Sequence, residues 1–77
     1  MDISLADVVI HIDETLTPEQ RADVEGVLRG VEGVVSVHNP DDRPHLTIVG
    51  YRPDVTDTQA LLQGVRAQGV HAELVGL

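Results

Sequence analysis

Apolar and polar residues alternate along four short stretches of the chain and recur at helical spacing along two others. Val8, Ile10 and Ile12 share one face of an extended run whose other face carries Asp7, Val9 and His11. That pattern predicts a half-buried strand. Asp13-Glu14-Thr15 ends the alternation. Val24, Val27, Leu28 and Val31 then follow a helical period. The helix start is written in Thr17-Pro18-Glu19-Gln20. The Thr17 hydroxyl can accept a first-turn amide, Pro18 suits the first helical position, and Gln20 can reach back to the Thr17 amide. Glu19 lies at the positive end of the helix dipole. Gly30 or Gly33 is the expected stop.

A hairpin follows. Val35 and Val37 alternate with Val34, Ser36 and His38; Leu46 and Ile48 alternate with His45, Thr47 and Val49. Between them, Asn39 to Pro44 is dense in turn formers. Symmetric pairing sets Val37 opposite Leu46 and Val35 opposite Ile48, with both pairs expected on the apolar face. Thr56 or Asp57 caps a second helix with Leu61, Leu62 and Val65 as its buried stripe and Gly69 as its stop. Val70, Ala72 and Leu74 then alternate with His71, Glu73 and Val75 in a last strand.

The order βαββαβ with right-handed crossovers predicts an α+β, ferredoxin-like sandwich. Its four-stranded antiparallel sheet has the order 4-1-3-2, with two helices on one face. Residues 1–77 are expected to form a single domain, because a chain this short buries only about 60% of its unfolded surface and has room for one core.

Composition narrows the chemistry by exclusion. The formal charge is −8, from thirteen acidic residues against five basic ones. Nucleic acid and anionic membrane are therefore poor partners. Tyr51 is the one aromatic residue, too few for a base-stacking sheet. There is no cysteine, which excludes disulfides, thiolate metal sites and catalytic thiols together. Met1 to Leu5 has neither a basic nor an apolar leader character, and no apolar run approaches membrane-spanning length. The expected location is cytoplasmic.

Val24…Leu28 followed by Gly33-Val34-Val35-Ser36-Val37 resembles the V-x-x-x-L…G-V-x-x-V-x-V run of heavy-metal-associated (HMA) domains. Tyr51-Arg52-Pro53, then Leu61…Val65…Gly69-Val70-His71-Ala72-Glu73-Leu74-Val75, is similar to their Y-x-P…I-x-x-x-I-x-x-x-G-Y-x-A-x-x-V ending. The resemblance runs from about residue 6 to 76. It implies the ferredoxin-like fold and a role in soft-metal binding or metal transport through an M-x-C-x-x-C loop. Counting back from Val24 puts that methionine at Thr15 and the cysteines at Thr17 and Gln20. None of the three matches, so Cu(I) held by thiolates is excluded at these positions.

All four histidines fall out of phase with the apolar positions, so they are expected on the helix-free face. In the predicted sheet His71, His11, His45 and His38 form a row at one end, in steps of ~4.8 Å. Imidazoles so placed, with Asp13, Glu73 or Asp41 completing the shell, would suit a divalent ion such as Zn²⁺, Ni²⁺ or Cu²⁺. Four solvated histidines are the plainer expectation for such a surface. The same face carries Val9, Val34, Val49 and Val75 by this pattern, a stripe that would bury a protein partner or a second copy in a homo-oligomer. Ser36 and His38 share a face without a third group to orient the imidazole. No nucleophile elbow, phosphate loop or H-E-x-x-H is present, and Leu16 to Arg21 does not resemble the signature loop of acylphosphatases, which share this fold. No enzyme is expected. Two functions remain: a domain that binds or carries a divalent metal through histidine and carboxylate, or a thiol-free relative serving as an interaction or regulatory module.

Overall fold

The first helix, α1 (Pro18–Arg29), begins where the capping signal places it. The Gln20 amide donates to Thr17 Oγ1 at 3.1 Å, and the Thr17 amide donates to Gln20 Oε1 at 2.9 Å. Both halves of the capping box are therefore formed, and Pro18 occupies the first turn. Thr17→Ala is expected to lower stability by about 1 kcal/mol, measurable as a lower urea midpoint at unchanged slope.

A computed structural model describes residues 4–75. Met1, Asp2 and Ile3, part of the leader reading, and Gly76, where the family-like ending closes, lie outside the described residues. The four strands are β1 (Ala6–Ile12), β2 (Val34–His38), β3 (Leu46–Tyr51) and β4 (Ala72–Val75), with a second helix α2 (Thr58–Arg66). They form one antiparallel sheet in the order β2-β3-β1-β4, the predicted order read from the opposite edge. Val24 and Leu28 of α1 join Leu61, Leu62 and Val65 of α2 over Val8, Ile10 and Ile12 of the central strand. Asp57, not Thr56, is the α2 cap, its carboxylate accepting from the Ala60 amide at 2.8 Å. Gly33 follows α1 at φ +97°, a left-handed conformation open to glycine. A Cβ there would also stand 2.9 Å from a methyl of Val55.

The hairpin departs from expectation. Val37 pairs with Val49 and His38 with Ile48, three residues further along β3 than the symmetric pairing predicts. A three-residue slip reverses the face of every β3 side chain. Thr47, Val49 and Tyr51 point into the core, while Ile48 is exposed. Val49 is therefore not part of an outer stripe; neither is Val34, which packs against the core. The physical reason lies at the far end of the strand. With Leu46 and Ile48 inward, Gly50 would leave a void under the sheet and Tyr51 would face solvent; the observed register buries Tyr51 instead.

A bulge between Val34 and Ser36 reconciles the two strands, so that Val34 and Val37 both face inward although an even alternation forbids it. Val35 and Ser36 both lie against the outer side of Gly50. A Cβ at that glycine would come within 2.5 Å of Ser36 Oγ and 3.5 Å of a Val35 methyl. The loop is closed by Asn39, whose side-chain amide donates to the carbonyls of Pro44 and Leu46.

Candidate metal centre

Where β1 ends, the chain is held on both sides. The Ile12 amide donates to the His45 carbonyl at 2.8 Å, and the Asp13 amide donates to the His71 carbonyl at 2.9 Å. This fixes Asp13 beside His11, which projects from the helix-free face between its register partners Leu46 on β3 and Glu73 on β4. His11 Nδ1 then lies 3.2 Å from Asp13 Oδ1 and 4.0 Å from Glu73 Oε1. The nitrogen is buried and has no aligned hydrogen-bond partner. One atom from each of the three residues lies within 4.8 Å of the others. The carboxylates remain mostly exposed, at 62% for Asp13 and 70% for Glu73. With His71, Arg66, Val70 and Ala72, they line an open concavity of about 410 Å³.

His45 stacks on His11, with ring centroids 5.8 Å apart and planes 20° from parallel. Its Nδ1 lies 2.7 Å from the Ile12 carbonyl, which can only accept. Nδ1 therefore carries a proton and donates it to that carbonyl. His11 and His45 thus meet, but not through the strand alternation: His45 lies in the turn before β3, and Leu46 is the register partner of His11.

The remaining histidines do not complete the predicted row. His71 turns to Glu14, a residue the sequence pattern marks only as the end of an alternation. Its Nδ1–H donates to Glu14 Oε2 at 2.8 Å, while its amide donates to both carboxylate oxygens at 2.9 and 3.0 Å. His38 is exposed at the level of Ile48, two residues along β3 from the Leu46 level of His11. The hairpin slip moved it there. Asp41 is exposed in the loop beyond β2.

The Glu14–His71 tether couples the loop before α1 to the start of β4. The hydrogen bond to Glu14 raises the His71 imidazole above its ordinary value of 6.5, helped by the Glu14 charge. The same bond, then the His71 amide, lowers Glu14 below 4.5. A raised histidine contributes fully below its unfolded value and is lost as pH rises through its folded one. A lowered carboxylate contributes above its unfolded value and is lost as pH falls through its folded one. The tether is therefore complete between pH 4.5 and 6.5 and weakens on either side. Glu14→Gln is expected to bring the His71 titration down toward its ordinary value, read from the imidazole proton resonances. An unmoved titration would show that the pair is not formed in solution.

The loop positions Thr15, Thr17 and Gln20 hold no metal-ligand set. Thr17 and Gln20 spend their side chains on each other's backbone amides, and Thr15 is exposed. Hydroxyl and amide oxygens are hard donors and do not fit Cu(I).

No family model matches the chain, and no curated protein matches it. Solved structures do. A copper-binding domain from HMA7, a P-type ATPase, superposes with a TM-score of 0.82 at 16% identity over 91% of this chain and 93% of that one. Oxidized MerP from Ralstonia metallidurans CH34 gives 0.82 at 17% identity over 92% and 97%. The N-terminal domain of a potential copper-translocating P-type ATPase from Bacillus subtilis, in its Cu(I)-loaded state, gives 0.84 at 19% identity over 95% and 90%. The chain shares the ferredoxin-like fold of these domains. The likeness confirms the architecture that the core and turn residues imply; at these identities it speaks for the fold alone. Among the described residues no helix is long and apolar enough to cross a membrane.

Proposed function

We propose that this domain binds one divalent transition-metal ion (Zn²⁺, Ni²⁺ or Cu²⁺) through His11, Asp13 and Glu73, as a non-enzymatic metal-binding or carrier module. The observation that carries this reading is His11 Nδ1: a buried nitrogen without an aligned hydrogen bond, flanked by two carboxylates on separate elements. Metal–ligand bonds of about 2.0–2.2 Å imply neighbouring ligand atoms roughly 3.4 Å apart in a tetrahedral shell. The 3.2 and 4.0 Å separations from His11 straddle that spacing, and all three ligand atoms lie within 4.8 Å of one another, so side-chain rotations would close the set around an ion. One imidazole and two carboxylates form a borderline-hard set that favours divalent ions and leaves a coordination position open. That the chain shares its fold with a copper-binding domain and with a domain solved in a Cu(I)-loaded state supports a metal role of a changed kind. The exposure of both carboxylates suits exchange of the ion, since little of their hydration must be given up.

Titration calorimetry with Zn²⁺, Ni²⁺ and Cu²⁺ tests the proposal. A single site of micromolar or tighter affinity for at least one ion is expected, with Cu(I) failing to compete against a thiol chelator. Absence of heat and of imidazole shifts at micromolar metal would contradict it.

A further inference from the structure

The helix-free face is less polar than a solvated sheet face needs to be. Val9 is in register with Ile48 on one side and Val75 on the other, so three β-branched side chains form a row across β4, β1 and β3. Ile48 and Val75 are 37% and 39% exposed, and Val35, turned outward by the bulge, is 54% exposed. Val9, hemmed in by its neighbours, keeps 9%. The bulge and Gly50 together place Val35 here, which a regular β2 would have turned toward the core. Around the row the strand positions of this face carry His11, Ser36 and His38 together with the acidic Asp7 and Glu73, with no lysine or arginine among them.

We infer that this row is the seat of an amphipathic helix from a basic partner protein. Three observations select that occupant. An extended segment laid face-on would leave its own amides and carbonyls unpaired over valine and isoleucine, whereas a helix satisfies its backbone internally. Three adjacent strands span about 10 Å, close to the roughly 10–12 Å width of a helix with its side chains. The sign of the partner follows from charge: the chain carries −8, and the aspartate and glutamate positions around the row, Asp7 and Glu73, face no lysine or arginine on the strands. A second copy would bring like charges together around the same row, so self-association is disfavoured where a lysine- or arginine-flanked apolar stripe is attracted.

The test uses the whole chain with a chelator present, which removes any metal effect. The probe is an amphipathic leucine–lysine helix of about 18 residues, long enough to be helical, followed by methyl and amide NMR. Its control is the same peptide with glutamate for lysine. Shifts centred on Val9, Val35, Ile48 and Val75 are expected, with the acidic peptide inert. Val35→Ser and Ile48→Ser, neutral changes at exposed positions, should each weaken binding about tenfold, as loss of one buried aliphatic contact implies. Val35→Ser, the more exposed position, serves as the second variant should Ile48→Ser perturb the fold. Asp7→Asn should weaken binding two- to threefold at low salt and not at high salt. Shifts spread over the helical face, undiminished binding by both serine variants, or equal affinity for the acidic peptide would overturn the inference. So would concentration-dependent dimerisation in sedimentation that perturbs the same methyls.

Discussion

Leu61→Ala is expected to remove about 3–4 kcal/mol of folding stability, the largest single loss foreseen for this chain. Leu61 is 0% exposed at the junction of both helices with the sheet. Deleting its isobutyl group forfeits the transfer free energy and leaves a cavity that a 77-residue domain has little other structure to close. At the usual 0.05–0.15 kcal/mol per residue, the whole domain holds only roughly 4–11 kcal/mol. The variant should therefore show a much lower urea midpoint at unchanged slope. Val35→Ala, on the outer face, should change stability by no more than about 0.5 kcal/mol. Similar losses at the two sites would contradict the assigned core.

His11→Ala should reduce affinity for the bound divalent ion by more than about a hundredfold. Disturbing a residue behind a ligand already costs about 10–100-fold, and His11 is the one nitrogen donor of the proposed set. The side chain is 35% exposed, so its removal leaves the core untouched. Asp13→Asn and Glu73→Gln, which keep shape while removing charge, should each weaken binding without abolishing it. His38→Ala should leave affinity unchanged, because the hairpin register sets His38 away from His11. Calorimetry on the four variants, each checked for a native amide spectrum, decides the matter. Equal losses in His11→Ala and His38→Ala would indicate diffuse surface binding instead of a site.

The difference between His11 and His38 also shows which parts of the structure were legible in the residues. The element order, the α1 cap and the strand order followed from local signals: the Thr17–Gln20 box and the alternation of β1 act within a few residues, while the α2 cap was narrowed to Thr56 or Asp57 and falls on Asp57. The hairpin register did not. Leu46/Ile48 and Thr47/Val49/Tyr51 are both acceptable inner faces for β3 taken alone. The choice depended on whether Tyr51 or Gly50 covers the far end of the core, and on a bulge at Val35 that no alternation encodes.

The candidate site divided along the same line. His11, Asp13 and Glu73 are adjacent because β1 and β4 pair in the expected phase. His38 was misplaced because β2 and β3 do not. Glu14 went unnoticed as a partner because its contact with His71 spans 57 residues of sequence and depends on how the loop before α1 folds back.

The thiol-free positions of that loop form a complete helix cap, and the metal-ligand types collect instead on the sheet edge beside it. The most direct measurement is a site map by paramagnetic broadening, adding substoichiometric Cu²⁺ to isotope-labelled protein. Broadening is expected to centre on the His11 imidazole and on the Asp13 and Glu73 side chains, falling off toward Thr15, Thr17, Gln20 and His38. Broadening centred on the Thr15–Gln20 loop or on His38, or uniform over the acidic surface, would contradict the proposed site.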